Sequence, residues 1–162
     1  MAWILAFYCS TPEQIQTMNE FIILLHVIIA AILSGLIGYE RGKIDKPAGV
    51  RTNMLVGGSV ALLVNLGEII VIHFTENELG GYISTDPTRI IQAIIMGISF
   101  IGAGMVLRIE KERTVKYLTS AATILFSSGI GISVALKQYV LAVGVTVFIL
   151  FINYILGLTK SH

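Results

Sequence analysis

Glu68 is the residue with the clearest chemical potential, because it is an acid inside an apolar stretch long enough to cross a bilayer. A charged side chain at that depth costs about 3 kcal/mol or more unless it is paired or hydrated. Glu68 is therefore a functional candidate, although it could also snorkel outward or stay protonated. Arg89 opens the next apolar stretch and is the natural counter-ion for a carboxylate at this depth.

Further polar residues flank Glu68 in the outer halves of these two consecutive stretches. Asp86 precedes a proline in a pattern that is typical of a helix start, so it could also cap that helix. We predict one outward-facing polar site, formed by Asn65, Glu68, Asp86, Arg89 and Gln92.

A second polar set lies in the loop GYERGKIDKPAGVRTNMLVGG, where Pro47 and Gly49 predict a turn. Its members flank the ends of two apolar stretches: Glu40, Arg41, Arg51, Thr52 and Asn53. One interpretation is a gate or a docking surface, formed chiefly by Glu40, Arg41 and Arg51. The other is that these charges set the topology and contact lipid headgroups.

No catalytic arrangement is present. The sequence lacks His-Glu-x-x-His, Gly-x-Ser-x-Gly and Gly-x-Gly-Asp, and the glycines of GISFIGAG lack the Gly-Lys-Ser/Thr ending of a nucleotide-binding loop. Cys9 is the only cysteine, which excludes an intramolecular disulfide. A net charge of +1 gives no reason to expect nucleic-acid binding. We expect neither enzymatic activity nor a cofactor, and the residues indicate no particular metal.

Composition indicates an all-α polytopic membrane protein, because 55% of the 162 residues are hydrophobic and only 13% are charged. Five apolar blocks of about 20 residues predict five transmembrane helices. They are Phe21–Tyr39, Met54–Phe74, Ile90–Leu107, Leu118–Leu136 and Tyr139–Leu158. We predict an extracytoplasmic segment at 1–20, with Met1–Cys9 kept as an interfacial stretch, a transmembrane domain at 21–158 and a cytoplasmic tail at 159–162.

The basic residues predict the orientation of the helices. Nine of the eleven follow the first, third or fifth block: Arg41, Lys43, Lys46, Arg51, Arg108, Lys111, Arg113, Lys116 and Lys160. Basic residues concentrate on the cytoplasmic side of membrane proteins, so the N-terminus is expected outside and the C-terminus inside.

Small residues predict where helices approach closely. They recur every fourth position in the first block, at Ala30, Ser34, Gly38 and Gly42, and in the fourth, at Thr123, Ser127, Gly131 and Ala135. These stripes could meet within the chain or join two copies, and we expect a homodimer or a higher assembly. Gly97, Gly102 and Gly104 either admit bulky neighbours or mark a break in the third helix.

Five motifs occur in an order that resembles the MgtC/SapB membrane family. They are Gly35–Arg41, Lys46–Thr52, Asp86–Arg89, Gly97–Gly104 and Leu118–Ala122, and the resemblance extends from about Ile22 to Leu158. The chain departs from the family at Ser120, where threonine is usual, and at Asn53, where histidine is frequent. It is similar to the short SapB-like form that lacks a soluble C-terminal domain.

The resemblance implies a bacterial inner-membrane protein of magnesium homeostasis, stress adaptation and virulence. Some family members are said to restrain the rotary ATP synthase, which implies action by binding membrane partners such as that enzyme. The alternative is a cation or small-solute transporter or channel, for which magnesium is the first candidate. Outer polar residues that line one wet cavity would favour transport, whereas paired and dry residues would favour the regulatory role.

Overall fold

The computed structural model describes residues 12–42, 48–76, 88–107 and 117–159. These residues form five α-helices and no strand. The helices are α1 (Pro12–Gly42), α2 (Val50–Glu76), α3 (Thr88–Leu107), α4 (Leu118–Ala135) and α5 (Tyr139–Thr159). The interfacial stretch predicted at Met1–Cys9 lies outside the described residues, as does Asp86.

The predicted all-α membrane fold is confirmed. Four helices contain segments long and apolar enough to cross a membrane: Glu20–Tyr39, Val50–Ile72, Thr88–Val106 and Leu118–Ala135. The apolar segment found in α5 is shorter, Tyr139–Asn153, although the helix itself has 21 residues. The helix covers the predicted span Tyr139–Leu158, and the side chains of Tyr154 and of most residues after it lie outside the described part of the structure.

The largest difference from the predicted boundaries is at α1, which begins at Pro12, nine residues before the predicted Phe21. Proline is favoured in the first turn of a helix, because backbone N–H groups there have no hydrogen-bond partner within the helix and proline has no N–H. Glutamate and glutamine, which follow it, are good helix formers. Hydropathy alone marks only the part of this helix that enters the membrane.

Helices α1, α2 and α4 form the centre of the bundle, with α2 packed against both of the others. Gly57 of α2 lies against Ala30 and Ser34 of α1, and a methyl group added to Gly131 of α4 would lie 2.5 Å from the Gly57 carbonyl oxygen. Both small-residue stripes thus contact α2 within one chain. Close backbone approach of this kind is the main packing device of helices in lipid.

Helix α3 lies at the edge of the bundle, where it contacts α4 and α2. Only 11% of its apolar segment is buried, compared with 33% to 50% in the other three. It is one continuous helix, so the glycines do not break it. A methyl group added to Gly102 would lie 3.7 Å from Ala121 of α4, but one added to Gly97 or Gly104 would meet nothing within 4 Å.

Candidate functional site

A buried polar cluster links α1, α2 and α5. His26 is 1% exposed and is bonded through both ring nitrogens, Nδ1 to the side-chain oxygen of Asn65 (3.1 Å) and Nε2 to the hydroxyl of Tyr139 (2.9 Å). The Asn65 amide nitrogen donates to the carbonyl oxygen of Ala61 one turn earlier (2.6 Å). Each polar group of the cluster therefore has a partner, as burial in a bundle requires.

The bond from Asn65 to the Ala61 carbonyl oxygen fixes which group donates and which accepts in this cluster. A carbonyl oxygen only accepts, so the Asn65 nitrogen must face it and the Asn65 oxygen must face His26. That oxygen also only accepts, so His26 Nδ1 carries a proton. In the neutral ring Nε2 is then the acceptor, and Tyr139 donates its hydroxyl proton to it. The network runs in one direction from Tyr139 to Ala61.

A second buried cluster joins α2 to α4 and α1. Asn53 is fully buried, and its amide nitrogen donates to the carbonyl oxygens of Ala48 (2.8 Å) and Gly49 (3.0 Å). Ser127 donates its hydroxyl to the Asn53 side-chain oxygen (2.8 Å), and Ser34 donates to the Ser127 carbonyl (3.4 Å). This cluster closes the turn before α2 and joins it to the centre of α4.

Glu68 lies apart from both clusters. It is exposed and lines a crevice of about 370 Å³ between α2, α3 and the turn that joins α4 to α5. The other charged residue on this crevice is Lys137, which belongs to that turn. Across the part of the chain that is described, no ion pair joins Glu68 to Lys137 or to Arg89.

Four of the five residues predicted for the outer site are described, and they lie in different surroundings; Asp86 lies outside the described residues. Asn65 faces α1 in the buried cluster, whereas Glu68 faces the crevice. Arg89 and Gln92 are exposed on α3 and do not line the crevice. Lys137, and not Arg89, is the basic residue that lines the crevice together with Glu68.

The second polar set predicted from the sequence also divides. Arg51 is exposed and Thr52 is half-buried, so both are accessible at the start of α2. Asn53 is buried in the second cluster. The backbones of Glu40 and Arg41 belong to the last turns of α1, and their side chains lie outside the described part of the structure.

Three residues of these sites were not singled out as site residues from the sequence: His26, Tyr139 and Lys137. His26 is the only histidine of the first predicted block, which has no Asp, Glu, Lys or Arg, and Lys137 is one of two basic residues on the predicted outer side. Those are weak signals, because neither indicates a partner. Tyr139 carried no signal, since it bonds a residue 113 positions away.

Comparison with known proteins shows what the chain is similar to. The sequence profile of the MgtC family matches residues 27–161. The protein named MgtC of Salmonella typhimurium is 34% identical over 141 residues, 87% of this chain and 55% of that protein. A putative magnesium transporter of Escherichia coli, YhiD, is 36% identical over 124 residues, 76% of this chain and 54% of that protein.

An uncharacterised protein of Haemophilus influenzae is 34% identical over 132 residues, which are 82% of this chain and 54% of that protein. The chain thus spans about half the length of the curated relatives that it matches. No solved structure matches it significantly.

Proposed function

Because the chain belongs to the MgtC family, we propose that it is a non-enzymatic protein of the bacterial inner membrane that acts by binding membrane partners. Its proposed role is adaptation to magnesium limitation or stress. One relative is named MgtC and another is named a putative magnesium transporter, and these names support a connection with magnesium. The proposed partners are a second copy of the chain and a membrane enzyme such as the rotary ATP synthase.

The observation that carries this proposal is the state of the polar side chains in the centre of the bundle. His26 and Asn65 bond each other, and Asn53 bonds Ser127. Groups that already bond one another have few sites left for an ion that must exchange its water shell for protein ligands. Buried polar residues that bond one another favour a scaffold over an ion pathway.

The exposed face of α3 is the proposed contact surface for the second copy. Met96 and Phe100 are 76% and 81% exposed, and they lie beside Gly97 and Gly104, which leave open space. Large side chains and gaps on one face are self-complementary, so a two-fold axis would place Phe100 of each copy against the glycines of the other.

Gly97→Leu tests this surface, and Gly144→Leu on α5 is its matched control, because a methyl group added at either glycine would meet no packed atom within 4 Å. Mass measurement in nanodiscs should show dimers for the wild type and for Gly144→Leu. Gly97→Leu should weaken association about tenfold or more, which is ~1.4 kcal/mol. In a strain that lacks the chromosomal copy, it should also fail to restore growth at low magnesium.

A strictly monomeric wild type would overturn the proposed self-association. Equal growth with Gly97→Leu and with the wild type would show that the α3 face is not needed for function. If Gly97→Leu and Gly144→Leu weaken association equally, the cause is added bulk on a lipid-facing surface. The α3 face then has no special role in association.

Transport is the second candidate, and the crevice beside Glu68 is the observation that favours it. A carboxylate on a cavity of about 370 Å³ is a place where a cation could enter from one side of the membrane. Flux of magnesium, potassium and protons in proteoliposomes separates the two functions. Selective flux that Glu68→Gln abolishes would establish transport, and its absence with an intact growth phenotype would favour partner binding.

The proposal includes an orientation with the N-terminus outside and the C-terminus in the cytoplasm. It is supported by the nine basic residues that follow the first, third and fifth predicted spans. In that orientation the crevice of Glu68 and Lys137 lies at the outer surface.

A further inference from the structure

The crevice beside Glu68 has walls that are almost entirely apolar. Its lining comes from three elements: Val64, Gly67, Glu68, Val71 and Ile72 of α2; Ile90 and Ile91 of α3; and Ala135, Leu136 and Lys137 at the end of α4. A volume of about 370 Å³ lies within the range of pockets that hold small organic ligands, roughly 300–1,000 Å³.

The shape of the crevice follows from how α2 meets α3. The two helices approach closely at Gly67, where an added methyl group would lie 2.6 Å from the Ile90 side chain. Beyond that contact α3 is largely exposed, so no other described helix fills the space. An apolar gap that stays empty forfeits dispersion contacts along its walls, and in a bilayer hydrocarbon chains are the available filling.

Two opposite charges stand on this apolar wall. Glu68 lies four residues before the end of the apolar segment of α2, about 6 Å along the axis. Lys137 lies in the α4–α5 turn with a left-handed backbone (φ 61°) and is exposed. In the described structure the two do not form an ion pair, so each retains the capacity to bind a ligand group of opposite charge.

We propose that this crevice binds one molecule of an aminophospholipid of the phosphatidylethanolamine type. Its acyl chain lies along the apolar wall, its ammonium group donates to Glu68, and its phosphate accepts from Lys137. A primary ammonium has three N–H donors for a carboxylate, whereas the quaternary ammonium of phosphatidylcholine has none. Phosphatidylglycerol offers a phosphate to Lys137, but its headgroup offers Glu68 only neutral hydroxyl donors and no positive charge.

The test is native mass spectrometry of the full chain in detergent with equimolar phosphatidylethanolamine, phosphatidylcholine and phosphatidylglycerol of identical acyl chains. The one-lipid complex should be about three- to fivefold more abundant with phosphatidylethanolamine, as expected for a partly exposed ion pair. Glu68→Gln should lower that complex to the level of phosphatidylcholine. Lys137→Gln should reduce the complexes of all three lipids, because they share the phosphate.

Two further variants separate the crevice from the general surface. Arg89→Gln is the matched control, because Arg89 is exposed on α3 next to Ile90 but does not line the crevice, and it should keep the preference. Ile91→Trp should fill the space and lower retention of every lipid without altering a charge. Retention is compared for variants that have the wild-type helical circular dichroism and elute as a single species.

Equal retention of the three lipids by the wild type would overturn the proposal, since lipids bound without specificity show no headgroup preference. So would an undiminished preference in Glu68→Gln, or an equal loss in Arg89→Gln. The site does not rest on the proposed regulatory function. Gly97→Leu should retain the lipid preference even if it abolishes association, so failure of one proposal leaves the other standing.

Discussion

Two adjacent glycines on α2 allow a direct test of the helix packing in the bundle centre. A methyl group added to Gly57 would lie 2.7 Å from Ser34 Cβ and 2.9 Å from the Ala30 carbonyl oxygen of α1. The Ala30 oxygen is backbone, so only a shift of one helix relative to the other relieves this contact. A methyl group on Gly58 would meet side-chain carbons of Val27 and Ala31 at 3.5 Å, which is ordinary van der Waals contact.

The stability difference between Gly57→Ala and Gly58→Ala isolates the steric effect. Alanine favours a helix over glycine by about 1 kcal/mol in water, and this gain is common to both variants. Overpacking a close contact typically costs ~1–3 kcal/mol, and only Gly57→Ala incurs it. Gly58→Ala should therefore be at least as stable as the wild type, and Gly57→Ala should be about 1–3 kcal/mol less stable than Gly58→Ala.

Thermal unfolding followed by circular dichroism in detergent micelles measures this difference, which should be about 2–12 °C in Tm at ~2–4 °C per kcal/mol. Adding Ser34→Gly to Gly57→Ala should restore only part of the loss, because the Ala30 carbonyl contact remains. Equal Tm values for the two alanine variants would show that α1 and α2 are not in close backbone contact at Gly57. Full recovery by Ser34→Gly would show that the Ala30 carbonyl does not limit the approach.

The buried network predicts strong coupling between His26 and Asn65: each single change to leucine should cost about 1–3 kcal/mol in unfolding free energy, because it leaves a buried polar group without its partner. The double variant should lose less unfolding free energy than the sum of the losses of the two single variants. Additive losses in a double-mutant cycle would contradict the hydrogen bond. The proposed orientation predicts that a reporter active only in the periplasm, fused after His162, gives no signal; a clear signal would reverse the assignment of sides. The same reporter inserted after Gln138, between α4 and α5, should be active.

Much of the fold could be predicted from hydropathy because each transmembrane helix leaves a continuous apolar block. Helix α3 ends at Leu107, as predicted for the third block. Helix α4 begins at Leu118, as predicted for the fourth. The start of α1 at Pro12 could not be found in this way, since the first turns of that helix are polar. Helix propensity and the position of the proline were the available signals, and a search for apolar blocks does not use them.

The sites were harder to predict because the rotation of a helix about its axis decides which neighbour a side chain meets. Asn65 and Glu68 are three residues apart, so their directions differ by roughly 60° on a helix of 3.6 residues per turn. That rotation suffices to turn Asn65 toward α1 and Glu68 toward α3. The sequence favours Arg89 as the partner of Glu68, because Arg89 is one of two basic residues on the predicted outer side and lies in the next helix. Packing of α4 against α2 brings Lys137 to the crevice instead.

The bundle places its polar groups in two different settings, and the difference bears on which helix is free to respond to a ligand. In the centre, Asn53 and Ser127 bond each other across two helices, so α2 and α4 cannot separate without exposing unpaired groups to hydrocarbon. Helix α3 meets α2 through apolar contacts such as Gly67 with Ile90, and only 11% of its apolar segment is buried. Apolar contacts lose little when lipid replaces them. Among helices α1 to α4, α3 buries the smallest share of its apolar segment, so a lipid in the crevice or a second copy on its outer face should shift α3 more readily than the other three.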